Sequence, residues 1–266
     1  MPELPEVETV RRTLMPHLKG RTIRSAEFRR VRVLRGDADE MARRLAGRKI
    51  LSLERRGKFI MMHLSDSGGI FTVHLGMTGK LAVAGEVGKH THAVLQLDRG
   101  VLTYTDPRMF GRLEWSEGVP ASVAKLGPEP LTVEFEEFFQ GLHKRKTNLK
   151  ALLLDQKFLG GVGNIYADEA LFRAGIHPLT RASSLTKVRA QRLYEAVREI
   201  LADAIAHRGS TVVNYVDSEG RRGEYQESLK VYQRHGEPCV KCGRPIRRTL
   251  VAQRGTHFCP YCQKRR

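Results

Sequence analysis

Four cysteines near the end of the chain carry the strongest chemical signal in this sequence. They form two Cys-x2-Cys pairs, Cys239 with Cys242 and Cys259 with Cys262, and 16 residues separate the pairs. Four thiolates at this spacing satisfy a closed tetrahedral zinc site, and a β-hairpin between the pairs would bring them together. Iron, or a redox pair of dithiols, is the alternative. Because a closed site leaves no position for a substrate, we predict one structural Zn²⁺ that stabilises a tail with little core of its own.

The tail around these cysteines is also strongly basic. Residues 239–266 hold eight Lys or Arg and no Asp or Glu. The whole chain of 266 residues has 46 Lys and Arg against 29 Asp and Glu, a net charge of +17. Such a charge favours a polyanionic partner, nucleic acid first and an anionic membrane surface second. Arg254, near the end of the expected hairpin, could set its guanidinium against a phosphate; the alternative is a basic tail without a specific role.

A glycine-rich segment, Leu159–Asn164 (Leu-Gly-Gly-Val-Gly-Asn), precedes a predicted helix. Glycines let backbone N–H groups approach an anion, and the N-terminus of a helix adds a favourable dipole. The segment lacks the Lys-Ser/Thr pair of a nucleotide P-loop and the spacing of a dinucleotide-binding motif. A DNA phosphate site is therefore one interpretation, and a plain tight turn between helices is the other.

The first residues offer a different chemistry. If Met1 is removed, Pro2 presents an α-amine with a pKa near 8, against about 10.4 for lysine. Such an amine is a ready nucleophile for an electrophilic carbon, and Glu3 beside it is a carboxylate able to move protons. The alternative is that Pro2 only begins the first helix.

The spacing of apolar residues predicts the elements that position these groups. Val7, Val10, Leu14 and Leu18 make one stripe of an N-terminal helix. From residue 22 to about 115, short β-rich segments between turns predict a sandwich or barrel. The expected strands are Ile50–Glu54, Phe59–Leu64, Ile70–Leu75, Leu81–Ala84, Ala93–Leu97 and Val101–Tyr104.

The second half of the chain has a helical period. Residues 118–130, with Pro120, Pro128 and Pro130, predict a linker between domains. Asp217–Tyr225 is polar and contains glycine, and we predict a mobile loop there. The expected helices are Leu149–Leu154, Asn164–Arg173 and Thr186–His207.

Composition excludes several classes of protein. Hydrophobic residues at 41% and charged residues at 28% are ordinary for a globular protein and exclude intrinsic disorder or a collagen-like fibre. No run approaches the ~18 apolar residues of a membrane span. Glu3, Glu6 and Glu8 stand where a signal peptide would be basic, and no apolar stretch follows. We therefore expect a reducing, cytoplasmic compartment, where paired cysteines bind metal rather than form disulfides.

The whole chain resembles bacterial formamidopyrimidine-DNA glycosylases, enzymes that remove oxidised purines such as 8-oxoguanine. The opening Met1-Pro-Glu-Leu-Pro-Glu-Val-Glu-Thr9 and the four-cysteine tail carry the likeness at the two ends. Between them the matching motifs are Arg56-Gly-Lys58-Phe59, His74-Leu-Gly-Met77-Thr-Gly79, Thr105-Asp-Pro-Arg108-Met-Phe110-Gly111, Leu126-Gly-Pro-Glu-Pro-Leu131 and Gly161-Val-Gly-Asn164-Ile-Tyr166.

The resemblance implies an α+β, multidomain protein. Residues 2–117 would form a catalytic β-sandwich with flanking helices, and residues 118–130 a linker. Residues 131–225 would form a helix–two-turn–helix DNA-binding domain, and residues 232–266 a zinc-finger β-hairpin. The order of predicted elements, strands first and helices second, fits this arrangement.

The resemblance also implies which residues are catalytic. Pro2, as the mature N-terminus, would attack C1′ of the damaged nucleotide and form a Schiff base with the opened sugar, while Glu3 protonates the sugar oxygen. Lys58 would contact phosphate and assist β-elimination. Arg254 would bind phosphate and assist δ-elimination, and Glu6 would support the geometry of the site.

A base inside a duplex must be flipped out before a buried amine can reach it, and flipping leaves a hole in the stack. Met77, Arg108 and Phe110 match the residues that fill this hole. Met109 stands where relatives often have a second basic residue, which leaves the preference for the opposite base open. The other positions that match DNA contacts are His74, His90, Lys146, Lys150 and Asn164, and residues 217–225 match the segment that closes over the everted base.

The predicted function is therefore base-excision repair of oxidised purines in double-stranded DNA. We expect a monomer in the bacterial cytoplasm, at the nucleoid and not at a membrane. An endonuclease VIII-like glycosylase for oxidised pyrimidines is one alternative, although Leu4-Pro5 and the trio of Met77, Arg108 and Phe110 favour the purine enzyme. A non-catalytic zinc-dependent DNA-binding protein is the other, and it would have no use for Pro2, Glu3 or Lys58.

Overall fold

The computed structural model describes residues 1–29, 31–211 and 215–265. Their contacts divide them into two compact units. The N-terminal unit comprises Met1–Lys125 with His207–Gln226, and the C-terminal unit comprises Leu126–Ala206 with the chain from Glu227 onward. The segment 207–226 thus packs with the first unit, whereas the family resemblance counts most of it with the helical domain. Arg266 of the basic tail lies outside the described residues.

Helix α1 (Leu4–Leu18) opens the N-terminal unit. Glu6 Oε2 accepts the backbone N–H of Glu3 at 2.7 Å, one half of a capping box. Pro5 lies in the first turn, where its missing N–H costs no intrahelical bond. The apolar stripe predicted for this helix is buried, so the period of 3.6 identified the face correctly.

Nine strands follow among the described residues of this unit, in two sheets. In chain order they are β1 (Ile23–Phe28), β2 (Leu34–Arg35), β3 (Ile50–Arg56), β4 (Phe59–Leu64), β5 (Ile70–His74), β6 (Lys80–Val83), β7 (Thr91–Leu97), β8 (Val101–Thr105) and β9 (Arg112–Ser116). The four-stranded sheet has the order β1-β7-β8-β6, and the five-stranded sheet has the order β2-β9-β5-β4-β3. Of the strand pairs formed by residues 1–29 and 31–125, only β2–β9 is parallel. Short helices α2 (Ala38–Leu45) and α3 (Ala121–Ala124) flank the strands.

One apolar core lies between the two sheets and α1. Alternate residues of the central strands enter it, among them Ile60, Phe71 and Val73. The residues between them, such as Thr72 and His74, project from the opposite face of the five-stranded sheet. The predicted sandwich of short strands is therefore confirmed.

The C-terminal unit contains four helices and one hairpin among its described residues. They are α4 (Phe135–His143), α5 (Leu149–Leu154), α6 (Asn164–Ala174), α7 (Lys187–Ala206), β10 (Arg247–Val251) and β11 (Arg254–Phe258). Three of these helices were predicted, and α4 was not. Helix α6 ends at Gly175 in the left-handed conformation. The hairpin turns at Ala252 and Gln253, both with positive φ, as a two-residue turn requires.

Candidate DNA interface and metal centre

The four cysteines converge as their spacing predicts. Their Sγ atoms all lie within 4.8 Å of one another. The Sγ atoms of Cys239 and Cys262 are 3.9 Å apart, and those of Cys242 and Cys259 are 3.5 Å apart. A tetrahedral ZnS₄ site with bonds of about 2.3 Å places its sulfurs about 3.8 Å apart. The residues present therefore fit a closed zinc site.

The finger has only a small apolar core beside this site. Phe172 of α6, Val231 and Ile246 are buried against the cysteines. Gln263 ties the finger to the helical part of the unit, since its Nε2 donates to the carbonyl of Ile176 at 2.9 Å. With so little apolar surface to bury, the finger depends on its metal for much of its folding free energy.

The start of α1 is a closely built site in the N-terminal unit. Pro2 is buried and Glu3 is 3% exposed. Glu6 fixes the backbone here, because one of its oxygens accepts the Glu3 N–H and the other accepts the Ser210 N–H at 2.7 Å. Tyr215 donates its hydroxyl to the Glu6 carbonyl at 3.2 Å. Burial and the charge of Glu6 raise the pKa of Tyr215, so the phenol stays protonated.

Lys58 lies in the tight turn between β3 and β4 and is 6% exposed. Arg55 connects this turn to α1: its Nε donates to Glu8 Oε2 at 3.2 Å and its Nη1 to the Gly57 carbonyl at 3.0 Å. Burial alone would raise the pKa of Glu8, but hydrogen bonds from Arg11 and its neighbours lower it below its ordinary value. Glu8 is therefore an ionised anchor for the Lys58 turn. Sequence reasoning missed Arg55 because the pairing spans 47 residues.

His74 ends β5 and contacts the ring of Phe59, with centroids 4.8 Å apart. Burial lowers the pKa of His74 to about 4, and the charges of Lys58 and Arg112 act in the same direction. Its Nδ1 accepts the Gly76 N–H at 3.2 Å. The neutral ring therefore carries its proton on Nε2, where it can donate to a phosphate oxygen.

The residues predicted to fill the hole in the stack are on exposed loops. Met77 is 39% exposed and Phe110 is 46% exposed. The guanidinium of Arg108 lies 4.7 Å from the Phe110 ring centroid. By contrast, Met109 has positive φ and packs its side chain against the sandwich core. Met109 thus serves packing in this chain.

Asp106 holds the Phe110 loop and was not singled out from the sequence. It is fully buried and accepts hydrogen bonds from Thr78 Oγ1 at 2.5 Å and from the Gly111 N–H at 2.8 Å. These bonds join the loop that carries Met77 to the loop that carries Phe110. His90, another predicted DNA contact, is exposed, and its carbonyl accepts the Asp106 N–H at 2.9 Å.

Asn164 and Arg254 are brought together within the C-terminal unit. Asn164 is the first residue of α6, and its Nδ2 donates to the carbonyl of Gly255 at 2.9 Å. Arg254, the preceding residue, is exposed at the start of β11. Lys146 is exposed in the segment before α5. Arg254 and Lys146 are therefore open to solvent, whereas the Asn164 amide is held against the hairpin.

Lys150 is placed differently from the prediction that it contacts DNA. Its side chain is completely buried and its Nζ lies 2.6 Å from Asp168 Oδ1. It also donates to the Asn164 carbonyl at 2.9 Å. The ammonium therefore points into the protein in this structure, where it pairs with Asp168 and the first residue of α6.

In the glycine-rich segment before α6, the backbone N–H groups of Gly160 and Gly161 are already hydrogen-bonded within the protein and are not free to bind an anion. The N–H of Gly160 donates to the Pro128 carbonyl, and the N–H of Gly161 donates to Gln156 Oε1, both at 3.0 Å. Gly161 has φ +104, which only glycine adopts readily. Of the two interpretations, the tight turn accounts for these amides.

The polar loop 217–225 has a buried anchor at its base. Asp217 is 1% exposed, pairs with Arg208, and accepts the N–H groups of Glu219 and Arg221 at 2.9 Å. The loop predicted to be mobile thus contains a hydrogen-bonded turn in this structure.

None of the helices formed by the described residues combines the length and the apolar character that a bilayer-spanning helix needs.

Three family models match successive parts of the chain. Residues 1–113 match the family model "Formamidopyrimidine-DNA glycosylase N-terminal domain", residues 126–215 its H2TH domain, and residues 236–265 the "Zinc finger found in FPG and IleRS". The formamidopyrimidine-DNA glycosylase of Solibacter usitatus is 59% identical over 266 residues, covering 100% of both chains. Given the finger family and the sulfur geometry, the four cysteines bind one structural zinc ion.

Solved structures extend the likeness to three dimensions. The MutM (FPG) protein of Thermus thermophilus superposes with a TM-score of 0.91 at 45% identity, covering 100% of both chains. A Lactococcus lactis FPG variant, solved in complex with DNA containing Fapy-dG, has a TM-score of 0.91 at 35% identity and covers 99% of this chain and 100% of its own.

Proposed function

We propose, from the premise that this chain belongs to the formamidopyrimidine-DNA glycosylase family, that it excises oxidised purines from double-stranded DNA and then cuts the strand. It is a bifunctional DNA glycosylase and AP lyase. The observation that carries this proposal is the buried start of α1, where Glu6 fixes the backbone beside Pro2 and Glu3. A protein that only bound DNA would have no need of this arrangement.

The first chemical step uses the amine of Pro2 once Met1 has been removed. The amine nitrogen attacks C1′ of the damaged nucleotide, and the bond from C1′ to the base breaks with its electron pair leaving on the base, which takes up a proton. Glu3 protonates the ring oxygen as the sugar opens, and the nitrogen and C1′ are left joined as an iminium. Burial of both residues excludes water from this step.

Strand cleavage follows from the iminium. Loss of a proton from C2′ expels the 3′ phosphate in β-elimination, and a second elimination expels the 5′ phosphate. Lys58 and Arg254 carry the positive charges that bind these phosphates and assist the two eliminations. Hydrolysis of the remaining Schiff base frees Pro2 for another cycle.

DNA binding supplies the geometry for this chemistry. Flipping the damaged nucleotide leaves a hole, and the exposed side chains of Met77 and Phe110 fill it, while Arg108 hydrogen-bonds the unpaired partner base. The backbone is contacted by His74, His90, Lys146 and Asn164, and the protein acts as a monomer on one duplex. The same proposal places the protein in the cytoplasm at the nucleoid, in keeping with its net charge of +17.

Borohydride trapping on a duplex with one 8-oxoguanine opposite cytosine tests the proposal. Protein whose N-terminal mass begins at Pro2 should become covalently linked to the DNA, and Pro2→Gly or chemical blocking of the amine should change or abolish the linkage. Stronger trapping on a duplex with an oxidised pyrimidine would favour an endonuclease VIII-like enzyme. Tight binding without any trapped product would leave a non-catalytic DNA-binding protein.

A further inference from the structure

A recess on the outer face of the five-stranded sheet has no part in the reaction proposed above. It encloses about 140 Å³ within the N-terminal unit, and two exposed arginines belong to its lining. Its lining consists of Arg35, Phe59, Thr72, Arg112, Glu114 and Ser122.

The strand register brings the polar side chains of this recess into two adjacent rows. Arg35 on β2 lies opposite Glu114 on β9, which lies opposite Thr72 on β5. In the next row Arg112 lies opposite His74. Because residues two apart on a strand share a face, both rows project from the same side of the sheet.

The floor of the recess has an unsatisfied hydroxyl. Thr72 is 2% exposed, and among the described residues its Oγ1 has no hydrogen-bond partner. Buried polar groups are almost always paired with protein, water or a ligand, and an exception indicates a missing partner. Thr72 is one of the residues that line the recess, so its unpaired hydroxyl lies next to the space that a ligand would fill.

The rim supplies charge of the right sign for an anion. The guanidinium groups of Arg35 and Arg112 make no ion pair with any described residue. Glu114 lies between them in the register, and its Oε2 accepts the Ser122 hydroxyl at 3.3 Å. Two arginines and one carboxylate give the recess a single net positive charge. Neither guanidinium group is held in an ion pair within the described chain, so each can offer two parallel N–H donors to a tetrahedral oxyanion.

The geometry points to a phosphate-binding recess, in which Arg35 and Arg112 bind phosphate oxygens at the rim and Thr72 donates from the floor. Arg112 is the direct cross-strand neighbour of His74, so we assign the occupant to the DNA backbone, beyond the phosphate that contacts His74. This inference rests on the proposed function and adds to it a backbone contact outside the set implied by the family motifs.

Affinity for a duplex with a tetrahydrofuran abasic analogue, measured by fluorescence anisotropy at several salt concentrations, tests the assignment. Arg35→Gln and Arg112→Gln should each weaken binding about tenfold and reduce the salt slope by about one, since one phosphate contact is lost. Glu114→Gln should tighten binding, because it removes the repelling charge while keeping an acceptor for Ser122. Arg24→Gln, on the exposed side of β1, is the matched control and should behave as the wild type.

A second measurement separates DNA from free phosphate. Inorganic phosphate is titrated into the DNA-free protein, with chloride at equal ionic strength as the control, while the methyl signal of Thr72 is followed by NMR. A saturable shift that Arg112→Gln abolishes supports the recess. The same shift with wild-type salt slopes in both arginine variants would overturn the DNA assignment in favour of free phosphate. No shift and unchanged slopes would overturn the recess itself, whereas a wild type that fails to bind the duplex would count against the proposed function instead.

Discussion

Lys150 Nζ lies 2.6 Å from Asp168 Oδ1, and neither side chain is exposed to solvent. The other oxygen of Asp168 accepts the backbone N–H of His257 at 2.8 Å, and the ring nitrogen Nδ1 of His257 lies 3.2 Å away. The ammonium also donates to the carbonyl of Asn164. One buried ion pair thus joins α5, α6 and β11, and it fixes the strand that begins with Arg254.

Removing one partner of this pair should be costly. Asp168→Ala leaves the ammonium of Lys150 buried without its carboxylate, and we expect the free energy of unfolding of the C-terminal unit to fall by about 3–5 kcal/mol. Urea titration measures the loss. Glu199→Ala is the matched control, because Glu199 pairs with Arg173 at 2.6 Å but both side chains are about half exposed, and such surface pairs contribute about 0–1 kcal/mol. Equal losses in the two variants would mean that burial of the pair has no energetic consequence.

The sequence predicted those features that depend on local spacing. The stripe of α1, the short strands and the helices of the second half follow from a period of 3.6 or 2 that burial imposes on neighbouring residues. The cysteine cluster was predictable for a related reason: four identical ligands in two close pairs leave few arrangements for a metal. Met77 and Phe110 followed only from family motifs, because apolar residues in loops have no periodic signal.

The features missed from the sequence are long-range pairings of single polar residues. Asp106 joins two loops through hydrogen bonds to Thr78 and Gly111. Lys150 matches a DNA-contact position by motif, yet its partner Asp168 lies 18 residues away and draws the ammonium inward. Nothing in local spacing distinguishes such a buried lysine from an exposed one, since the difference depends on which carboxylate the fold brings beside it.

Removal of zinc should unfold the finger while sparing the sandwich. Among the described residues, the apolar cluster at the cysteines comprises Phe172, Val231 and Ile246, and structural zinc contributes about 10–16 kcal/mol to the folding of such modules. After chelation, hydrogen exchange should accelerate from about residue 232 onward and remain slow in β4 and β5, and affinity for DNA should be lost. Full binding by protein shown to be zinc-free by metal analysis would contradict this prediction.

The pH dependence of stability should contain a contribution from His74. Its pKa is about 4 in the folded protein, against an ordinary value of 6.5. Between these values the unfolded chain binds a proton that the folded chain does not, so the stabilisation by neutral His74 is complete above about pH 6.5 and is lost as the pH falls toward about 4. His74→Gln should therefore flatten the decrease in unfolding free energy across this window.

Urea midpoints at several pH values measure this contribution, with His235→Gln, at an exposed position, as the control. The control should keep the pH profile of the wild type. A His74→Gln profile that runs parallel to the wild type through the window would show that the ring titrates alike in the folded and unfolded chains.

Gly209 should be intolerant of a side chain for a reason beyond its backbone conformation. Its φ is +79, and a Cβ there would lie 2.6 Å from Glu6 Oε1, the atom that accepts the Ser210 N–H. Gly100 has nearly the same φ of +83 with nothing within 4 Å of the added Cβ. Alanine at either position should cost about 1–2 kcal/mol of stability, since L-residues disfavour the left-handed region.

Only Gly209→Ala should also displace Glu6 and, with it, the backbone beside Pro2. We expect the rate of borohydride trapping on abasic DNA to fall about tenfold or more in this variant, because small misplacements of a nucleophile are costly. Gly100→Ala should trap at the wild-type rate despite its similar loss of stability. Equal trapping by both variants would show that the Glu6 contact with the 209–210 segment does not position the amine, and a loss in both would attribute the effect to general destabilisation.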